Sequence, residues 1–335
     1  MQTYHKDAIP PMVEAFGTKH VMYAVGKLDK YNDIMNETIA GGCGADYGFD
    51  NHLDALCQSE LQGYYRLQRT VVWFEYVKEF FPRHFGFGAD NHKLLVVDHL
   101  GHNPCGMLQS RPIRTEFGVW LGASDASTAP RKTPEPTPAP SNDAQASRQS
   151  SPSTNSPTLA PTQSCASTCT NTSALFNVSI TEATGRGMPY WRPSTQPALG
   201  EYDEDVTAAI IIQHGDFEYA TDFVCYVWNM LRMEFVNETQ WGARIHVIAP
   251  QFWAQDEQSV EHTVWSAHAH ESTLWWQDAS AWMDGGASQE FAGNRVSSFS
   301  VYDEIIAKLG NMQIYPNMKT VIVAGFSTGG EFVQR

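Results

Sequence analysis

The sequence predicts an α/β protein with a mostly parallel sheet and helices on both of its faces. Two observations lead to this prediction. Short apolar, β-branched runs alternate with helix-like stretches in both halves of the chain, and the stretch between the halves has the composition of an unfolded linker. With 335 residues and 42% hydrophobic residues, the chain is long enough to bury a sizeable core.

The first segment, residues 1–122, contains two predicted strands and one long helix. Residues 20–25 form an apolar run that ends at Gly26, and residues 93–97 form a second run that leads into a turn with two histidines. Between them, residues 51–80 have the periodicity of an amphipathic helix. This segment therefore supplies two strands whose ends carry polar residues.

Residues 123–173 differ in composition from the rest of the chain. They contain no aromatic residue and are dense in proline, serine and threonine. Such a segment buries too little apolar surface to offset the entropy lost on ordering. We predict a disordered, protease-sensitive linker of the kind that carries O-linked glycans.

The last segment, residues 174–335, alternates strands and helices to its end. The predicted elements are strand 208–213, helix 220–235, strand 244–249, helix 301–309 and strand 319–325. This alternation is typical of parallel strands joined by crossover helices, with helices on both faces of the sheet.

A Gly-x-Ser-x-Gly motif at residues 325–329 directly follows the last predicted strand. A helix-like stretch, residues 331–335, comes after it. Strand, motif and helix together are typical of a nucleophile elbow, a strained turn that lifts a serine hydroxyl above the sheet. Glycines on either side of Ser327 allow the two chain segments to approach closely. A plain Gly/Ser turn is the alternative, and the context favours the nucleophile.

Four further stretches resemble parts of secreted α/β-hydrolases. They are Leu53-Asp-Ala-Leu-Cys-Gln-Ser-Glu-Leu-Gln-Gly63, Gly101-His-Asn-Pro-Cys-Gly-Met-Leu-Gln-Ser110, His214-Gly-Asp-Phe217 and Ile248-Ala-Pro-Gln-Phe252. With the elbow, they make the chain similar to the α/β-hydrolase family over nearly everything outside the linker. Family members carry their catalytic residues in the order serine, acid, histidine. Here the half with the acid and the histidine precedes the half with the serine.

Two arrangements explain the swapped order. One is a circular permutation in which the linker joins the old termini. The other is a tandem array, with the C-terminal half of one hydrolase followed by the truncated N-terminal half of the next. Family members have a full helix and another central strand between the elbow and the acid-bearing strand. Residues 1–19 contain no strand-like run, so a permutant would lack one mid-sheet strand, and we favour the tandem array.

The resemblance implies a catalytic triad. Ser327 is the expected nucleophile, and a serine hydroxyl needs a base within hydrogen-bond reach. His102, in a glycine-containing loop after a buried strand, matches the family's base; His99 is its competitor and a structural histidine is the alternative reading. Asp29 matches the orienting acid. Asp33 and a merely solvated loop acid are the alternatives there.

The resemblance also implies where the oxyanion is stabilised. One backbone N–H donor is expected from Thr328, and a second from Asp216 or Phe217 in the loop after strand 208–213. Four tryptophans either line an acyl pocket or pack beneath a long loop: Trp265, Trp275, Trp276 and Trp282. No dinucleotide-type glycine loop and no P-loop lysine is present, so we expect no cofactor.

Several features indicate a secreted or cell-surface protein. Four glycosylation sequons begin at Asn36, Asn171, Asn177 and Asn237. Against this, residues 1–7 lack the apolar core of a signal peptide. No apolar stretch approaches the ~20 residues that span a bilayer, so we expect no transmembrane segment. The net charge of −15 argues against nucleic acid and anionic membranes as partners.

The six cysteines are even in number but do not form a dense framework. Cys43 and Cys57 bracket a Gly/Asp-rich loop, so we predict that they form a local disulfide. The pairing of the other four stays open: Cys105, Cys165, Cys169 and Cys225. Cys165 and Cys169 are four residues apart but have no further cysteine or histidine at the spacing of a zinc site, so we expect no metal site.

The sequence thus predicts a secreted serine hydrolase that cleaves an ester or related acyl bond of a small-molecule or acyl-ester substrate through an acyl-enzyme. A non-catalytic cell-surface or adhesion module that reuses the fold is the alternative. We expect residues 1–122 and 174–335 to dock as one sheet, with Ser327 and His102 on the same edge. Because the three residues come from two halves, activity depends on that docking.

Overall fold

The computed structural model describes residues 19–27, 66–85, 90–121, 171–177, 186–215, 220–235, 244–254, 273–290 and 293–334. These ranges contain seven strands and seven helices and form an α/β architecture. None of the helices in these ranges is both long enough and apolar enough to cross a bilayer.

The first segment forms a two-stranded parallel sheet with helices around it. Its elements are β1 (Val21–Gly26), α1 (Arg66–Phe85), β2 (His92–Val97), α2 (Pro104–Gln109) and α3 (Arg111–Trp120). β1 and β2 pair in register from Val21 opposite His92 to Gly26 opposite Val97. Aromatic side chains hold α1 on this sheet, with Phe74 at 5.9 Å from the ring of Tyr23.

The last segment forms a five-stranded sheet in the order β3-β4-β6-β5-β7. Its strands are β3 (Asn171–Asn177), β4 (Gly187–Pro193), β5 (Ala208–Gln213), β6 (Ile245–Pro250) and β7 (Thr320–Gly325). β5 pairs in parallel with both β6 and β7, whereas β4 pairs antiparallel with β3 and β6. Every residue of β5 and β6 is buried, as expected for apolar strands covered on both faces.

Helices cover both faces of this sheet. They are α4 (Ala220–Glu234), α5 (Ala279–Met283), α6 (Ser298–Leu309) and α7 (Thr328–Val333). The alternation of side chains along β5 divides the core: Ala209 and Ile211 pack towards α5, α6 and α7, whereas Ile210 and Ile212 pack towards α4.

The core around α4 contains side chains from both segments. Val97, Met107 and Phe117 of the first segment pack in one cluster with Ile210 and Ile322 of the last. The expectation of one continuous sheet was wrong for the described strands, because β1 and β2 are hydrogen-bonded only to each other. The two segments meet through helices and apolar side chains instead.

The linker boundary also differs from the expectation. β3 begins at Asn171, three residues inside the predicted linker 123–173, because those residues pair with β4 from Pro193 back to Trp191. Residues 122–170 lie outside the described ranges, as do residues 51–65 of the predicted first helix.

Candidate active site

The turn between β7 and α7 holds Ser327 in a strained conformation. Its φ is 56° and its ψ is −129°, and non-glycine residues rarely adopt a positive φ. The flanking glycines are required sterically. A Cβ at Gly325 would lie 2.1 Å from the Gly329 carbonyl oxygen, and one at Gly329 would lie 2.2 Å from the His214 carbonyl oxygen. The backbone therefore has the geometry that a nucleophile elbow needs.

His102 lies beside this turn, although it is 225 residues away in sequence. Its ring centroid is 4.5 Å from that of Phe326, the residue before Ser327. The local chain presents His102 outward: the N–H of Asn103 donates to the carbonyl of Gly101 at 3.0 Å, and the Asn103 side chain caps α2 by accepting from the Gly106 N–H. The side chain of His102 is exposed, at the edge where β7 ends.

His99, the competing histidine, occupies a different position in the same loop. It is exposed and adopts a φ of 63° in the turn directly after β2. Its neighbour Asp98 forms an exposed ion pair with Lys27 at 2.8 Å, and this hydrogen bond lowers the pKa of Asp98. Of these two histidines, His102 is the one whose ring contacts Phe326 in the described structure.

The expected acids Asp29 and Asp33 lie outside the described residues, but the start of their loop is defined. A Cβ at Gly26 would lie 2.3 Å from the Leu100 carbonyl oxygen, and the N–H of Lys27 donates to Val97 at 2.8 Å. The chain that leaves β1 towards Asp29 therefore starts against the loop that carries His102.

The expected oxyanion donors are described in part. Thr328 is the first residue of α7, so its N–H has no partner within the helix. Asp216 and Phe217 lie outside the described residues. The chain leaving β5 nevertheless passes directly over the elbow, because the His214 carbonyl abuts Gly329. The loop with the second expected donor thus begins beside Ser327.

His214 is fully buried and fully hydrogen-bonded. Its Nδ1 lies 2.7 Å from the carbonyl oxygen of Gly215, and its Nε2 accepts the N–H of Phe252 at 3.1 Å. An acceptor at Nε2 requires the proton on Nδ1, so the partners assign the tautomer. Burial lowers the pKa of His214 to about 4, which keeps the ring neutral at neutral pH.

Two buried polar side chains, Gln213 and Tyr302, are hydrogen-bonded to each other, and Gln213 also contacts the backbone of His214. The hydroxyl of Tyr302 on α6 donates to Oε1 of Gln213 at 2.8 Å, and Nε2 of Gln213 donates to the His214 carbonyl at 3.3 Å. Burial raises the pKa of Tyr302 well above its ordinary value. Gln213 ends an apolar strand and Tyr302 lies within a helix, so nothing in the sequence indicates that the two side chains are hydrogen-bonded.

Of the three candidate pocket tryptophans that the structure describes, two are core residues. Trp276 and Trp282 are fully buried, and the Trp282 ring lies 5.2 Å from the rings of both His214 and Phe252. For these two the packing alternative holds rather than the pocket. Trp275 is half-buried, and Trp265 lies outside the described residues.

The remaining expectations concern cysteines, sequons and metals. Cys105 on α2 and Cys225 on α4 are each in a disulfide and are both buried. Asn171 and Asn177 are the first and last residues of β3. Outside the described ranges lie Asn36, Asn237, Cys43, Cys57, Cys165 and Cys169. The described ranges hold no group of three or more potential metal ligands.

Comparison of the chain with protein-family models, curated proteins and solved structures returned no match. A strained serine, a histidine beside it and helix N–H groups at the same turn are the parts that acyl transfer requires.

Proposed function

We propose that the docked segments form a serine hydrolase that cleaves an ester or related acyl bond. The observation that carries the proposal is the strained turn of Ser327 with the His102 ring packed on Phe326, one residue away. The loop that carries His102 belongs to the first segment, and the turn that carries Ser327 belongs to the last. The two residues lie close together only because the two segments are docked.

The proposed reaction follows from these positions. His102 takes the proton of the Ser327 hydroxyl as Oγ attacks the acyl carbon, and the resulting oxyanion is held by the N–H of Thr328 and a second N–H from the loop after β5. Collapse of this intermediate breaks the acyl–oxygen bond, and His102 returns the proton to the leaving alcohol. Water, deprotonated by His102, then attacks the acyl-enzyme, releases the acid and restores the serine. Asp29 orients the imidazole.

Secretion is supported by the disulfides at Cys105 and Cys225, since such bonds persist in oxidising compartments. The four sequons agree with the same location.

The proposal is tested by labelling the full chain with a fluorophosphonate probe, which reacts with activated serines. We expect the wild-type chain to label and Ser327→Ala to lose labelling. His102→Ala should slow labelling by roughly a thousandfold or more, because the nucleophile then lacks its base. Ser300→Ala, on α6, is the matched control and should label at the wild-type rate.

Labelling that persists in Ser327→Ala would contradict the assignment of the nucleophile. A folded wild-type chain that does not label, and does not hydrolyse p-nitrophenyl acetate, would contradict the hydrolase and favour the non-catalytic surface module.

A further inference from the structure

The strands β1 and β7 each have one edge without a hydrogen-bonded neighbour among the described strands. β7 pairs only with β5, and β1 pairs only with β2. Neither strand contains a charged residue or a proline, which are the residues that commonly protect an open edge. Both are mostly apolar runs, and this composition is typical of parallel strands with neighbours on both sides.

The pairing of β7 shows which of its backbone groups point away from β5. The N–H groups of Thr320 and Phe326 donate to carbonyl groups at the two ends of β5. Because backbone groups alternate in direction along a strand, those of Val321, Val323 and Gly325 point to the other edge. Within the described part of the chain, no strand pairs with them there.

The same reasoning identifies the open edge of β1. The N–H groups of Val21 and Lys27 donate to carbonyl groups at the two ends of β2. The backbone groups of Met22, Ala24 and Gly26 therefore point away from β2. Among the strands that the structure describes, none pairs with this edge either.

The loop after β2 shows that the two open edges face each other. This loop first passes over the end of β1, where a Cβ at Gly26 would lie 2.3 Å from the Leu100 carbonyl oxygen. It then places the ring of His102 at 4.5 Å from that of Phe326, directly after β7. Since the loop crosses β1 on its way from β2 to β7, β1 lies on the side of the first segment that faces β7.

β1 and β7 share a core cluster but are not adjacent strands. Met22 and Ala24 of β1 pack against the cluster around α4, to which Ile322 and Ala324 of β7 also belong. Most Cα atoms of β1 nevertheless lie more than 8 Å from every Cα atom of β7. Neighbouring strands are about 4.8 Å apart, and two strands that flank a third are about 10 Å apart. The space between the two edges, here called the β1–β7 slot, is thus wider than a direct strand pair.

We propose that the β1–β7 slot binds an extended, apolar segment of another polypeptide, which becomes a strand between β1 and β7. Both flanking strands are six residues long, so a segment of the same length pairs along all of each edge. Main-chain hydrogen bonds form on both of its sides, whereas a strand added at an outer edge of a sheet gains them on one side only. This inference does not depend on the proposed function.

The two faces of the slot determine the chemistry of the segment. Towards α4 the slot is flanked by Ile322 and Ala324. On the opposite face, Val321 and Val323 pack against the cluster around α6 and α7, and Tyr23 of β1 is buried. Successive side chains of a strand point to opposite faces, so the segment needs apolar side chains at every position. A charged side chain would be buried there without a partner.

Hydrogen exchange of the full chain, measured by NMR, tests the proposal. The probe is a synthetic peptide with the sequence of β5, Ala208–Gln213, which is itself buried on both faces and is extended by two lysines at each end for solubility. At saturating peptide, we expect the amides of Met22, Ala24, Val321 and Val323 to exchange at least about tenfold more slowly, because they become hydrogen-bonded.

The outer edge of β2 is the internal control. Since the carbonyl groups at the ends of β2 accept from β1, the N–H groups of Leu94 and Val96 point away from β1. We expect their exchange to stay unchanged. The same peptide, N-methylated at two adjacent central residues, lacks one donor to each flanking strand and should give no protection at any of these amides.

Val323→Pro tests the slot from the side of the protein. It removes an N–H that points into the slot and leaves the bonds between β7 and β5 in place, as proline is tolerated at such edge positions. We expect it to weaken peptide binding by at least about tenfold. Val96→Pro makes the same change at the outer edge of β2 and should alter binding by less than about twofold. The N-methylated peptide keeps the proposal testable if Val323→Pro does not fold.

The other outcomes overturn the inference. They are protection at Leu94 and Val96 in place of the slot amides, and equal binding of the N-methylated peptide. Slot amides that are already protected in the free, dilute chain would show that the chain fills the slot itself. Protection that appears as the chain alone is concentrated, with a dimer in sedimentation, would assign the slot to a second copy.

The proposed function fails or survives separately. Peptide binding with the expected protection, in a chain that does not react with the fluorophosphonate probe, contradicts the hydrolase and supports the slot. A chain that reacts with the probe but shows no protection by the peptide contradicts the slot alone.

Discussion

The two ends of the parallel strands β6-β5-β7 each bury a histidine, but the groups around the two rings differ. At the carboxyl end, His214 has partners for both ring nitrogens and no carboxylate among them. At the amino end, Nε2 of His246 lies 3.7 Å from Oδ2 of Asp203, which is longer than a hydrogen bond. One ring is fixed by backbone contacts, and the other has a carboxylate nearby.

Both environments lower the histidine pKa, and burial is the main cause in each. For His214 the hydrogen bond to Gly215 only partly opposes burial, and the pKa is about 4. For His246 the attraction of Asp203 opposes burial, yet the pKa still lies below its ordinary value. Desolvation, with a smaller contribution from the positive charge of Arg192, therefore outweighs the carboxylate at 3.7 Å, and both rings stay neutral at neutral pH.

The polar side chains at the two ends of the strands have different roles. At the amino end they connect loops to the sheet: Gln196 is hydrogen-bonded to β6, and the Tyr315 hydroxyl accepts from the Gly200 N–H at 2.8 Å. Burial raises the pKa of Tyr315 to about 12. At the carboxyl end they fix a loop beside Ser327. Ligand sites of open α/β sheets lie at the carboxyl ends of the strands, which matches this division.

The strongest test of the comparison places a methyl group at the backbone contact between the Ser327 turn and His214. Gly329→Ala puts a Cβ 2.2 Å from the backbone oxygen of His214, which cannot rotate away. We expect the free energy of unfolding in urea to fall by about 3 kcal/mol or more, at the upper end of overpacking costs. Probe labelling should fall with it.

Gly330→Ala is the control for that substitution, in the same helix turn. Its Cβ would lie 3.3 Å from the nearest atom, the Gly325 oxygen, so a small shift accommodates it. The gain in helix propensity offsets this shift, and we expect a change of less than about 1 kcal/mol. Equal losses in the two variants would show that the contact with His214 is not the tight one.

The second test uses the titration of His214. Well above pH 6.5 the ring is neutral in the folded and unfolded chains and contributes no pH dependence. As pH falls towards about 4, the unfolded chain binds a proton that the folded chain does not, so the free energy of unfolding falls. We expect a loss of about 3 kcal/mol between pH 7 and pH 4 from this group, and His214→Asn should remove that part of the slope. An unchanged slope would contradict the neutral, buried ring.

The parallel strands were predictable because their sequences are continuous apolar runs, which are typical of strands buried on both faces. β5 is an unbroken run of small and β-branched residues at 208–213, and the structure gives it those bounds. β4 was missed because Pro189 and Pro193 argue against a strand; its prolines are tolerated where other residues carry the hydrogen bonds. β3 was missed because it starts within the composition of the linker.

The candidate site was predictable where one local motif defines it, as at residues 325–329. The placement of His102 beside Phe326 was expected only through a family resemblance, since nothing local joins residues so distant in sequence. The network of Gln213 and Tyr302 beside His214 was not predictable at all. Uncharged polar residues have many potential partners, and only the folded chain selects among them.

The third test concerns the amino end and has the smallest expected effect. Asp203→Asn removes the negative charge near His246 while keeping the size of the side chain. Because that charge raises the pKa of His246 against the effect of burial, the pKa should move further below its ordinary value. The shift is small because Asp203 is partly exposed and water screens its charge. An NMR titration of the histidine rings measures it, with the His214 resonance in the same sample as the internal reference, which should not move. A rise in the His246 midpoint, or an equal movement of both rings, would show that the carboxylate is not the partner that distinguishes the two ends of the sheet.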